Sequence, residues 1–129
     1  EIDPQFKTDR IVSAILDFGC GTSLFTCSTQ LSRYQRVNIF GTEGRVELEN
    51  INYPVDEDSR LWLQKDNDIT ELLMPKCDHY EIQSDLFSLS IIKDTEVFTP
   101  IEDAIANMKV LEAIVQSAKS NTWVSLESL

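Results

Sequence analysis

Alternating apolar and polar positions dominate the chain as far as Met74, and helical spacing dominates the remainder. Arg10 to Phe18 is rich in Ile, Val and Leu and holds no turn residue, which predicts a strand. Gly19-Cys20-Gly21 follows as a turn, where glycine supplies a positive φ without steric cost. Ser23 to Leu31 predicts a second strand, with Phe25, Cys27, Thr29 and Leu31 on one side and Leu24, Thr26, Ser28 and Gln30 on the other. Ser32-Arg33 is a short link into a third strand, Tyr34 to Phe40. Gly41-Thr42-Glu43-Gly44 is a tight connection to a fourth, Arg45 to Leu48, with Val46 and Leu48 inward and Arg45, Glu47 and Glu49 outward. Asn50 to Arg60, with Pro54 and the acidic run Asp56-Glu57-Asp58, reads as a surface excursion. Leu61 to Gln64 and Thr70 to Met74 make a hairpin around Lys65-Asp66-Asn67-Asp68, and Pro75 ends it.

From Tyr80 onward Ile82, Leu86 and Leu89, with Phe87 and Ile91 beside them, recur at helical spacing. Thr99-Pro100-Ile101-Glu102 is a helix start, with Thr99 expected to cap, Pro100 to take the first helical position and Glu102 to reach back as in a capping box. Ile101, Ala104, Ile105, Met108, Leu111, Val115 and Ala118 form one stripe down to about Ser120, and Asn121 suits a left-handed cap. Trp123-Val124-Ser125 predicts a last short strand. Strands first and helices afterwards predict an α+β fold: an open, mostly antiparallel sheet with helices packed on one face and the other face free for oligomerisation.

Composition narrows the partners. The 129 residues carry 22 acidic and 11 basic side chains, a net charge of −11, with 42% hydrophobic positions. That is one ordinary globular domain whose charge argues against nucleic acid and anionic membrane surfaces. No apolar run approaches the roughly 18 residues that span a bilayer. The three cysteines, Cys20, Cys27 and Cys77, give neither a disulfide framework nor paired zinc ligands. No Asn-x-Ser/Thr acceptor or signal peptide is present, so a reduced, cytoplasmic protein is expected. The start at Glu1 rather than at methionine leads to the expectation of a processed chain or a piece of a longer one.

Several motifs favour plain structural readings. Gly19-x-Gly21 lacks a third glycine and precedes a strand, so it is a hairpin turn and not a dinucleotide loop. Asp66-Asn67-Asp68 lacks the glycine and distant glutamate of a calcium loop. Cys77 and His79 offer two soft ligands with no third nearby, so no metal is expected. No Gly-x-Ser-x-Gly elbow is present for a serine nucleophile. The most suggestive polar cluster is Arg33, Tyr34, Gln35 and Arg36, where an arginine fork and a phenol suit a hydroxylated ligand.

The blocks Thr8 to Phe18, Phe25 to Leu31, Tyr34 to Leu48 and Pro100 to Leu111, with Tyr80, Gln83 and Phe87 between them, together resemble the C-terminal domain of the Gfo/Idh/MocA oxidoreductases. The resemblance runs from about Thr8 to Val124. It implies that residues 1–129 are the single C-terminal substrate-binding and oligomerisation domain of a two-domain enzyme whose N-terminal Rossmann domain is absent from this chain. It further implies hydride transfer between NAD or NADP and a sugar, polyol or related substrate, with a homo-oligomer built on the open sheet face. The Gly-x-Gly-x-x-Gly fingerprint, the Glu-Lys-Pro motif with its lysine and the Asp-x-x-x-His segment do not occur here. No cofactor and no catalytic residue is therefore expected in this chain. The resemblance implies substrate contact for Arg33 and Tyr34 first, then Tyr80, His79 and Gln30. A non-catalytic sugar- or protein-binding module and a structural dimerisation domain are the rival readings.

Overall fold

A computed structural model describes residues 1–52 and 57–128. Pro54 and Asp56 of the expected surface excursion lie outside the described residues. The fold is α+β, with six antiparallel strands followed by two helices among the described residues: β1 (Ile11–Asp17), β2 (Thr22–Ser28), β3 (Arg36–Phe40), β4 (Arg45–Glu49), β5 (Ser59–Lys65), β6 (Asp68–Met74), α1 (His79–Lys93) and α2 (Ile101–Ser120). The strands form two sheets, β1–β2 and β3–β4–β5–β6, each with neighbours in sequence order. The chain divides into two units, one of residues 1–32 with 99–129 and the other of residues 33–98.

In the first unit, β1 and β2 pair from Ile11 opposite Ser28 to Asp17 opposite Thr22. The turn closes because Gly19 takes φ +73° while its N–H donates to Asp17 Oδ1 at 2.8 Å. Ser13 and Thr26 share a hydroxyl hydrogen bond of 2.9 Å across the pair. Asp3 accepts from the N–H groups of Phe6 and Gln5, and these hold its carboxyl below the usual carboxylate range. Helix α2 carries Ala113, the one buried residue among those described, while Ile101, Ile105, Met108, Leu111 and Val115 are exposed.

The start of α2 differs from the expectation. Pro100 occupies the N-cap position and no side chain caps the helix, so neither Thr99 nor Glu102 serves the expected role. The other end behaves as the pattern predicts: Asn121 is left-handed at φ 55°, and its N–H donates to the Ser117 carbonyl at 2.8 Å. Trp123 to Ser125 is not a strand; it leads into a 3-10 turn at Leu126–Ser128. A three-residue run has strand propensity only in so far as a neighbouring ladder receives it, and the described residues supply none.

In the second unit, register sorts the four-stranded sheet into two chemically distinct faces. Val37, Leu48, Leu61 and Leu72 lie in one row and Ile39, Val46, Leu63 and Thr70 in the next. The opposite face carries the rows Arg36–Glu49–Arg60–Leu73, Asn38–Glu47–Trp62–Glu71 and Phe40–Arg45–Gln64–Ile69. Alternation in sequence thus becomes one apolar face and one charged face. Asn50 leaves β4 at φ 55°, its N–H donating to the Gln35 carbonyl at 3.2 Å and its own carbonyl accepting from Ser59 Oγ at 3.0 Å. Asp66, at φ 55°, makes the turn between β5 and β6, so the calcium-loop lookalike is a hairpin turn. Helix α1 is capped by Asp78 and ends on left-handed Asp94 at φ 52°.

Candidate functional site

Four of the five expected contact residues belong to the second unit. Arg33 and Tyr34 lie on the segment that enters β3. Arg33 Nη2 donates to Asn50 Oδ1 at 3.4 Å, which links the guanidinium to the residue leaving β4. Tyr34 is 76% exposed, and its ring lies under the guanidinium of Arg36, 5.8 Å from the centroid. His79 and Tyr80 open α1, where their rings meet with centroids 4.1 Å apart and planes tilted by 36°. Asp78 fixes that helix end by accepting from the N–H groups of Tyr80 at 3.0 Å and Glu81 at 3.1 Å. Nδ1 of half-buried His79 is enclosed without a hydrogen-bond partner among the described residues.

Gln30 belongs to the first unit. Its N–H donates to Ser28 Oγ at 3.0 Å and its amide Nε2 donates to Asp3 Oδ2 at 3.4 Å. Of the five residues, then, the structure brings His79 against Tyr80, gives Tyr34 a cationic neighbour and ties Arg33 to Asn50.

The sequence cluster has a member whose surroundings only the register reveals. Arg36 Nη1 donates to Glu47 Oε1 at 2.5 Å and Nη2 donates to Glu49 Oε1 at 2.8 Å. Its guanidinium also lies 5.5 Å from the centroid of Trp62. The bond to Glu49 pushes the Arg36 pKa up, desolvation opposes this, and the charges of Glu49 and Glu47 add to the rise. The ion pairs continue to Arg45 Nη1, 3.6 Å from Glu47 Oε2, and Arg45 Nε donates to Gln64 Oε1 at 2.8 Å.

A dinucleotide does not fit the described residues. Gly19-Cys20-Gly21 joins two antiparallel strands and leads into β2 rather than into a helix N-terminus. The α1 terminus already has Asp78 on its free N–H groups. The first turn of α2 carries Glu102 and Asp103, whose charges repel phosphate. Among the described residues there is also no group of three or more His, Cys, Asp or Glu side chains able to hold a metal ion. No described helix is long and apolar enough to cross a membrane.

The chain is 33% identical over 131 residues to an uncharacterized oxidoreductase, ORF334, of Rhizobium meliloti, covering 95% of this chain and 39% of that protein. It is 25% identical over 113 residues to a D-xylose 1-dehydrogenase [NADP(+)] of Haloarcula marismortui, covering 87% of this chain and 31% of that protein. The chain therefore spans between about a third and two-fifths of the length of these relatives. No solved structure matches it. The family model described as the oxidoreductase family C-terminal alpha/beta domain matches residues 1–126, and the chain belongs to the Gfo/Idh/MocA oxidoreductase family.

Proposed function

We propose that this chain is the substrate-side, C-terminal domain of a NAD(P)-dependent oxidoreductase acting on a sugar, polyol or related hydroxylated substrate. Family membership over residues 1–126 is the observation that carries the reading. The name of the Haloarcula relative, a D-xylose 1-dehydrogenase [NADP(+)], supports a carbohydrate substrate and a nicotinamide cofactor. Hydride transfer needs a nicotinamide held against the substrate carbon and a group that accepts the hydroxyl proton. The Gly-x-Gly-x-x-Gly fingerprint and the Glu-Lys-Pro lysine do not occur in this chain, and in this reading an N-terminal Rossmann domain of the longer polypeptide provides both parts.

The contribution of this chain is then orientation. Arg33 and Tyr34 offer a guanidinium fork and a phenol to substrate hydroxyls, and Tyr80 with His79 offers an aromatic edge beside polar atoms. These residues bind and align the substrate and carry no proton in the reaction. A second copy of the chain covers an exposed sheet face, and the enzyme works in the cytoplasm as a homo-oligomer.

The test is a panel of aldoses and polyols, D-xylose included, offered to the full-length protein with NAD+ and NADP+. Reduction of the nicotinamide with at least one panel member is expected, and none with this chain alone. Turnover by the isolated chain, or a full-length protein inert toward the whole panel, overturns the reading.

A further inference from the structure

Tyr34 stands outside every strand and is 76% exposed, yet its ring has a fixed neighbour. An exposed tyrosine on a link loses side-chain entropy whenever it is held for a ligand. Arg36 sits two residues on, at the first position of β3, with its guanidinium 5.8 Å from the Tyr34 centroid. That guanidinium is itself immobilised from two further strands. Glu49 and Glu47 on β4 each accept from one of its two Nη groups, and the indole of Trp62 on β5 lies 5.5 Å from it. The side chain of Glu47 is only 14% exposed, so part of this clamp is shielded from water. The order of attachment therefore runs from sheet to arginine to tyrosine.

We propose that Arg36 is a positioning residue for Tyr34: the clamp of Glu47, Glu49 and Trp62 holds its guanidinium against the phenol ring and so presets that ring for substrate contact. The inference rests on the reading of Tyr34 as a substrate contact. Lysine cannot replace Arg36, because a compact ammonium on a flexible stem does not bond two carboxylates with separate nitrogens while facing two rings.

The experiment uses the full-length protein with D-xylose, or the panel member it turns over in place of D-xylose, at saturating nicotinamide. Tyr34→Ala, Arg36→Lys and the double variant are compared by KM and kcat separately. Arg36→Lys is expected to raise KM about two- to fivefold, the worth of one partly exposed cation–π contact, with kcat nearly unchanged. In the Tyr34→Ala background the same change is expected to do nothing further. An equal KM effect of Arg36→Lys with and without Tyr34 overturns the positioning role. If Tyr34→Ala raises KM and Arg36→Lys leaves it unchanged, the substrate contact stands and the positioning role alone falls. If Tyr34→Ala leaves KM unchanged, the contact itself falls and takes the positioning role with it. Should Arg36→Lys fail to accumulate as folded protein, Glu49→Gln loosens the same guanidinium and is read by the same split.

Discussion

Single residues decide where this backbone tolerates a side chain. Gly44 has no space for one: a Cβ there would overlap the main-chain oxygen of Gln64 and lie 3.3 Å from its carbonyl carbon. Gly41, at the other end of the same connection, would meet only the Gly44 oxygen at 3.6 Å, an ordinary contact. Gly44→Ala is therefore expected to cost about 1–3 kcal/mol, through displacement of β5 from β4. Gly41→Ala is expected to change stability by less than about 0.5 kcal/mol. Urea unfolding of the two variants against the parent checks this, and equal midpoints contradict it. The sequence marks both glycines as one tight connection and does not separate them. The difference arises from the pairing of Arg45 with Gln64, a contact between distant positions. The candidate site shows the same limit. Arg33, Tyr34 and Arg36 stand together in sequence, whereas Glu47, Glu49 and Trp62 join them only through strand register. The outward alternation of Arg45, Glu47 and Glu49 is the available signal for those partners.

At the scale of elements, the two helices begin in different ways, although both starts carry capping-type residues. Asp78 uses one carboxylate oxygen on the N–H groups of Tyr80 and Glu81. Thr99 makes no such bond, because Pro100 takes the N-cap position at φ −69° and ψ 164°. Asp78→Ala is expected to destabilise by about 1 kcal/mol, and Thr99→Ala by less than about 0.5 kcal/mol. Thermal or urea melts of both variants test the contrast, and a larger loss for Thr99→Ala refutes this assignment of caps. Elements governed by local chemistry are legible in the sequence: the Gly19 turn, the alternating strands β3 to β6 and the Asn121 cap follow from φ preference and period. Those that depend on distant partners are not. Trp123 to Ser125 has the composition of a strand and no ladder among the described residues. Alternation in β2 continues to Leu31, yet the strand stops at Ser28, because its pairing with β1 runs out at Ile11. Beyond that point the Thr29 N–H still donates to the Arg10 carbonyl at 3.2 Å, while the N–H groups of Gln30 and Leu31 turn to Ser28 Oγ.

At the scale of this chain as a whole the governing fact is a net charge of −11 combined with exposed apolar surface. Net negative charge keeps copies apart, so association needs a patch where attraction exceeds that repulsion. The apolar rows of the four-stranded sheet form such a patch, with Val37 at 38%, Ile39 at 57% and Leu63 at 46% exposure and no charged side chain in the rows that hold them. The opposite face also exposes Phe40, Ile69 and Leu73, but there they are interleaved with the charged side chains of Arg36, Glu47 and Glu49, which pair with one another. For the proposed homo-oligomer, the contact to test is one over Val37 and Ile39, in which each copy presents the same strands about a two-fold axis. Ile39→Lys places an unpaired ammonium in that contact and is expected to weaken self-association at least about tenfold. Asn38→Lys, on the charged face, is expected to leave it within about twofold, since an exposed charge in high dielectric contributes little. Sedimentation velocity over a concentration series distinguishes the two variants. Dissociation by Asn38→Lys alone assigns the interface to the charged face, and a parent protein that stays monomeric throughout removes the interface from both.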